Sequence, residues 1–239
     1  MFDKDLLLSL DDEENIRELK VTYSINPAAN SSNWKNKLSD TINGKRLLMI
    51  HKFKEEYLKL DLNDYILVFD DGLYNHYLWF KKIRAKFPSI IMIFAISTGI
   101  ISKDYDIQDD MESPEAHELF FKHNSTLGFM NMSQIDEISN TKNCFIAVHG
   151  HKHLNLVEAR KDGIKSFVKK VVDDYREMFE ITMSLIYSGT IRNQLMFVLP
   201  YNQYDELALS LIRNIYNKFD TKLGLITIGP GRVDIENLI

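Results

Sequence analysis

The chain holds a single cysteine, Cys144, among 239 residues. That count excludes an internal disulfide and fits a reducing compartment. No segment approaches the roughly 18 apolar residues of a membrane helix. Nor is there an excess of positive charge: 29 Lys and Arg against 34 Asp and Glu give a formal net charge of −5. A general binder of nucleic acid or anionic membranes would need a basic surface, so both classes are excluded as partners. Basic clusters such as Lys52–Lys59 (KFKEEYLK) mix both signs and read as solvated helix faces. No Pro-, Gly- or Ser-rich linker divides the chain, and no internal repeat is present. The opening MFDKDLLLSLDDEEN has an apolar stretch too short for a signal-peptide core and runs at once into acids. The expectation is a cytoplasmic protein built as one domain over residues 1–239. Nothing in the sequence specifies an oligomeric state.

What is present is ordinary globular material, 45% apolar and 26% charged. Short apolar runs alternate with helical patterns, the signature of βα units and a mainly parallel sheet. Strands are predicted at Leu19–Ile25, Tyr65–Phe69, Ile90–Ile96, Cys144–Val148, Leu195–Leu199 and Leu223–Ile228. Helices are predicted at Leu73–Phe87, Ile164–Tyr187 and Asp205–Phe219. Asn26–Gly44 reads as irregular loop. Residues 98–132 lack clear periodicity and read as a long irregular insertion, a feature that is usually functional or mobile. The fold class is α/β, a barrel or open sheet with its chemistry at the carboxyl ends of strands.

Asp70 and Asp71 sit at such an end, in VFDDG. Asp71 alone would suffice to cap the following helix, so a second adjacent carboxylate needs another reason. A second strand, CFIAV, ends in HGHKHLNL, which places His149, His151 and His153 within five residues. Seven histidines in 239 residues predict about 0.15 in such a window. The plain alternative is a solvent-exposed histidine cluster. Two imidazoles and one carboxylate, however, are suitable zinc ligands that leave a coordination position open, and the other aspartate stays free as a base.

VFDDG followed by HGHKH resembles the first two motifs of the polysaccharide deacetylases, the NodB-homology carbohydrate esterases, written there T-F-D-D-G and H-[S/T]-x-x-H. HKHLNL is similar to that family's H-x-H-P-N-L, and FVLPYN (Phe197–Asn202) takes the place of its F-R-x-P-Y-G. The resemblance spans about residues 65–228. It implies a distorted (β/α) barrel of about seven mainly parallel strands and hydrolysis of an acetyl or formyl group on an acylated sugar. By position it implies Asp70 as general base, Asp71, His149 and His153 as ligands of a divalent metal, most plausibly Zn²⁺, and the Tyr201 N–H as an oxyanion donor. Tyr74, Pro200 and Tyr201 are the candidate sugar contacts. With a cytoplasmic location the substrate is expected to be a nucleotide- or lipid-linked precursor of a surface glycan.

Two family features are missing. Val198 stands where the motif has the arginine that orients the base, with Arg192 and Arg232 as substitutes that do not align. No histidine follows Tyr201, so the family's late general acid has no counterpart. His117, between Glu115 and Glu118 in the insertion, is the candidate replacement, ahead of His123. These losses also keep open a second class, a noncatalytic descendant that binds a sugar or a partner protein.

Overall fold

Continuous apolar runs become strands buried on both faces, as parallel sheets covered by helices require. The computed structural model describes residues 41–42, 45–103, 107–191, 195–203, 205–219, 225–229 and 232–238. The strand predicted at Leu19–Ile25 and nearly all of the 26–44 loop lie outside the described residues. In chain order the elements are β1 (Thr41–Ile42), β2 (Lys45–Ile50), β3 (Tyr65–Phe69), α1 (Tyr74–Lys86), β4 (Ile91–Ile96), α2 (Ser113–His123), α3 (Met132–Ser139), β5 (Cys144–Val148), α4 (Leu156–Lys161), α5 (Ile164–Tyr187), β6 (Leu195–Val198), α6 (Glu206–Asn217), β7 (Leu225–Ile228) and β8 (Val233–Asp234).

The sheet order is β1-β2-β3-β4-β5-β6-β7, with β8 also pairing with β2. β1 is antiparallel to β2, while β2 through β8 form seven parallel strands. The sheet is curled into a distorted (β/α) barrel. Leu47 of β2 and Ile228 of β7 stand far apart in the pairing order, yet share one buried cluster with Ile66, Val68, Ile93, Ala95, Ala147, Met196 and Val198. β8, which follows β7, pairs back onto β2, so the two ends of the sheet are brought together around that interior. The alternate residues of the same strands, such as Leu67, Phe69, Met92, Phe94 and Ile146, pack outward beneath helices, with Phe80 and Ile83 of α1 in the same cluster. α5 and α6 cover the β5–β6 side through Val171, Tyr175, Phe179, Leu211 and Ile215, which join Phe197. Fully burying one such side chain stabilises the fold by about 1.5–3 kcal/mol.

Helix ends follow local chemistry. Asp205 caps α6 by accepting from the Ala208 N–H at 2.9 Å, and Asn131 with Gln134 forms a reciprocal capping box on α3. Several elements escape the sequence pattern: the short β1, β8, α3 and α4, and two longer ones, β2 and α2. β2 (KRLLMI) carries a short apolar stretch behind two cations. α2 lies inside the stretch read as irregular. Its apolar side, Ala116 with Leu119 and Phe120, packs toward Leu73, Ile100, Met111 and Phe129. Its polar residue His117 is also buried, so no simple apolar stripe shows in the sequence. The stretch is stitched to the turn after β3: Leu73 bridges Phe129, the Met130 N–H donates to Gly72 O at 2.9 Å, and the Tyr74 N–H to Gly128 O at 2.8 Å. Among the described residues no helix is long and apolar enough to cross a membrane.

His76 on α1 is wholly buried against Phe69 and donates from Nε2 to the His51 carbonyl at 2.8 Å. Burial pushes its pKa down to about 4. The unfolded chain therefore binds a proton between pH 6.5 and 4 that the folded chain refuses. Stability is full above that window and falls as the pH drops through it, by ~1.4 kcal/mol per pH unit. His76→Gln keeps an amide donor but does not titrate. In urea unfolding at pH 6.5 and pH 4, the variant should lose roughly 3 kcal/mol less than the parent; equal losses would refute the assignment.

Candidate metal centre

The carboxyl ends of β3, β5 and β6 meet at one end of the barrel. Backbone ladders continue past each strand: the Asp70 N–H donates to Ile50 O at 2.9 Å, the His149 N–H to Ile96 O at 2.8 Å and the Leu199 N–H to Ile228 O at 2.9 Å. These bonds hold the first residue beyond each strand in register, so the site is set on rigid backbone.

Beyond that point the backbone turns through left-handed conformations. Asp71, His153, Tyr201 and Asn202 have φ values of 75°, 54°, 55° and 52°. Such angles are uncommon for residues with side chains, and their concentration marks a place where geometry is imposed by the surroundings. Gly150, at φ 81°, holds a conformation that side chains strain, and an added Cβ would press on Asp174 Oδ2 at 3.0 Å. Asp174 of α5 accepts from the His151 and Lys152 N–H groups at 2.9 and 2.8 Å. It thereby clamps the loop between the two outer histidines.

Asp71 Oδ1, His149 Nε2 and His153 Nε2 converge. The separations are 3.0 Å from Asp71 to His153, 3.4 Å from Asp71 to His149 and 3.2 Å between the two nitrogens. All three residues are buried. His149 Nδ1 donates to Val198 O at 2.8 Å, which leaves the Nε2 lone pair of the neutral ring facing the other two atoms. Two ring nitrogens and a carboxylate oxygen held this close repel unless a cation or proton sits between them. Ligands at about 2.0–2.1 Å from a tetrahedral ion stand roughly 3.3–3.4 Å apart, so this triangle suits a divalent ion such as zinc. Burial alone would raise the Asp71 carboxyl, but the His149 and His153 rings, when they present a proton to it, outweigh burial and hold the group well below its ordinary range.

Asp70, 2% exposed, stands beside the cluster in a different role. Arg232 grips it with two bonds, Nη1 to Oδ1 at 2.6 Å and Nη2 to Oδ2 at 2.8 Å. Nη2 also donates to Asn202 Oδ1 at 2.6 Å. Burial would raise the Asp70 carboxyl, yet the Arg232 charge, aided by His149, holds it below the usual value. The arginine missing at Val198 is thus replaced in space by one that immediately precedes β8. Val198 contributes its backbone carbonyl to His149, while its side chain joins the interior cluster.

The insertion helix supplies the remaining wall. His117 is 8% exposed and stacks on His153, with ring centroids 4.4 Å apart. Its Nδ1 donates to Ser113 O at 3.0 Å, and its Nε2 is buried with no protein partner. Tyr201 also packs against His153, with ring centroids 4.4 Å apart and the rings tilted by 50°, and is half exposed. A groove of about 800 Å³ opens beside them, lined by Phe121, His153, Tyr201, Asn155, Asp173 and Glu177 among others. Pro200 is buried beneath, against the Gly150 turn.

Three named residues lie elsewhere. His151 turns away from the cluster to bind Thr98 Oγ1 at 3.0 Å and Glu177 at 2.9 Å. His123 is exposed at the end of α2. Tyr74 stacks on Tyr77 and does not line the groove. Arg192 lies outside the described residues. Ser113 and Asp174 were not singled out by the sequence. The signal that could have found Ser113 is its i,i+4 spacing to His117 at the start of a helix.

No family model matches the chain, and no curated protein matches it. Solved structures do. IcaB from Ammonifex degensii is similar over 81% of this chain and 92% of its own, with a TM-score of 0.51 and 13% identity. The BpsB deacetylase domain from Bordetella bronchiseptica is similar over 82% of this chain and 98% of its own, with a TM-score of 0.51 and 15% identity. The chain shares the fold of these two proteins.

The Asp70–Arg232 pair yields a stability test that needs no substrate. Removing one partner of a buried pair typically costs about 3–5 kcal/mol, because the other charge is left uncompensated. Arg232→Gln should lose that much in urea unfolding, and Arg232→Gln combined with Asp70→Asn should lose less than Arg232→Gln alone. A single-variant loss below about 1 kcal/mol would mean that the pair is energetically equivalent to an exposed one.

Proposed function

We propose that the protein is a metal-dependent hydrolase that removes an acetyl or formyl group from an acylated sugar. The observation that carries the reading is the convergence of Asp71, His149 and His153 beside a separate carboxylate, Asp70, that is held by an arginine. The shared deacetylase fold and the groove beside the cluster support it.

A divalent ion bound by Asp71, His149 and His153 would lower the pKa of a coordinated water and polarise the acyl oxygen. The chain's own groups supply the rest. Arg232 keeps Asp70 ionised and fixes its plane, and each carboxylate oxygen retains a lone pair with which to accept a proton from the attacking water. The Tyr201 N–H meets the negative charge that develops on the acyl oxygen. As the water oxygen bonds to the acyl carbon and the bond to the sugar nitrogen or oxygen breaks, the leaving group needs a proton. Burial holds the His117 pKa down, to about 4, so the ring starts neutral with Nε2 free to accept. It can take up the proton released at Asp70 and pass it to the leaving group. His117 is therefore read as a relay in place of a resting acid. Phe121 and Tyr201 border the groove as apolar faces for a sugar ring.

This arrangement also argues against a purely binding role, since a base oriented by an arginine serves no purpose in holding a sugar. The expected substrate is a nucleotide- or lipid-linked acylated sugar used in surface-glycan synthesis. Acetate release from a nucleotide-linked N-acetyl sugar supports that expectation, and release from a chitin-type oligomer alone overturns it. On whichever acylated sugar proves active, Asp70→Asn should keep the metal and lose activity by about 10²–10⁴-fold, the usual contribution of a general acid–base group. His149→Ala should lose the metal itself. If wild type and Asp70→Asn are equally inactive on every sugar while both bind one tightly, the protein is a binder.

A further inference from the structure

Ser113 is the first residue of α2, one position past the N-cap, where a serine's hydroxyl is not needed to cap the helix. Here the helix has Glu112 as its N-cap and no side-chain cap bond. The Ser113 hydroxyl instead donates to Asp71 Oδ2 at 2.5 Å. This bond engages the carboxylate oxygen that does not face the histidines, since Oδ1 is the atom that meets His149 and His153. His117 Nδ1 lies 3.3 Å from the same hydroxyl and 3.0 Å from the Ser113 carbonyl, so it approaches from the acceptor side and leaves the hydroxyl hydrogen to Asp71. A short bond between a hydroxyl and an ionised carboxylate is of the stronger, charge-assisted kind.

A carboxylate can bind a metal through one oxygen or two. Zinc in small protein sites takes four ligands with one atom from each, whereas larger, oxygen-seeking ions take carboxylates through both oxygens and expand their coordination. With Oδ2 engaged by Ser113, Asp71 offers Oδ1 alone. We propose that Ser113 is a positioning residue that restricts Asp71 to one-oxygen ligation and so biases the site toward a small four-coordinate ion. This rests on the metal-dependent reading above and extends it, because it gives the insertion helix a part in choosing the metal. The position lies outside all three stretches that resemble the deacetylases.

The test measures metal binding in the full chain and needs no substrate. Dissociation constants for Zn²⁺ and Mn²⁺ are compared by chelator competition in wild type, Ser113→Ala and Ser113→Thr, and the visible spectrum of the Co²⁺-loaded proteins reports coordination number. Ser113→Ala should weaken Zn²⁺ binding by about 10–100-fold, as is typical when a partner of a metal ligand is removed. Mn²⁺ binding should weaken less, and the Co²⁺ bands should lose intensity as coordination rises. Ser113→Thr, which keeps the hydroxyl, should restore both. If Ser113→Ala does not fold, Ser113→Gly, which also lacks the hydroxyl and offers no metal ligand, takes its place with the same direction of change. Zn²⁺ affinity within about twofold of wild type and an unchanged Co²⁺ spectrum would overturn the proposal; equal losses for both ions would overturn the selectivity. A wild type that binds Zn²⁺ but hydrolyses no acylated sugar defeats the enzymatic reading and leaves this one standing, while a wild type that binds no Zn²⁺ defeats both.

Discussion

Two adjacent carboxylates are buried at the open end of a barrel, and the rest of the site follows from compensating them. Asp70 and Asp71 are each at most 3% exposed, so neither can rely on water to hold its charge. Asp70 is neutralised by Arg232, which arrives from the connection between β7 and β8. Asp71 faces two imidazoles, a donor set that could hold a divalent cation. Were the sheet an open one, the residues before β8 would have no reason to approach the end of β3. The pairing of β8 with β2, Leu48 with Val233 and Met49 with Asp234, brings them there. Curling of the sheet and burial of the aspartate charge are therefore one constraint seen from two sides.

The same economy of position appears in the loops. Asp71, His153 and Asn202 all hold left-handed backbone angles, and each lies in a segment restrained by a neighbour that is not itself a candidate ligand. Asp71 is tied by Ser113, the 149–153 loop by Asp174, and Asn202 by Arg232. Backbone strain of about 1–3 kcal/mol per residue persists only where surrounding contacts over-determine it. The clamps come from α2, α5 and the β7–β8 connection, three elements far apart in the chain. The cluster is thus a property of the assembled barrel more than of either short motif.

The central strands are legible in the sequence alone. Tyr65–Phe69 and Cys144–Val148 are uninterrupted apolar runs ended abruptly by acids or histidines, and their boundaries agree with the structure. The α5 boundaries, Ile164–Tyr187, are likewise those expected from its apolar stripe. α2 was not legible, because the face it buries carries polar residues as well as apolar ones. β2 was hidden by its cations, and its burial depends on neighbours on both sides that a local pattern cannot reveal.

By itself the sequence determined which residue types stand at the ends of β3, β5 and β6, since alternation and strand length are local properties of the chain. It set two adjacent aspartates and three histidines at strand ends as candidate donors, and the resemblance of its motifs pointed to Asp71, His149 and His153 among them. Tertiary structure alone decided which arginine serves Asp70, which histidine of the three turns away, and which residue of the insertion touches the cluster. Arg232 is 162 positions from Asp70 and Ser113 is 42 from Asp71. Contacts at such separations depend on how the sheet curls and where a helix docks, and no periodicity along the chain encodes either.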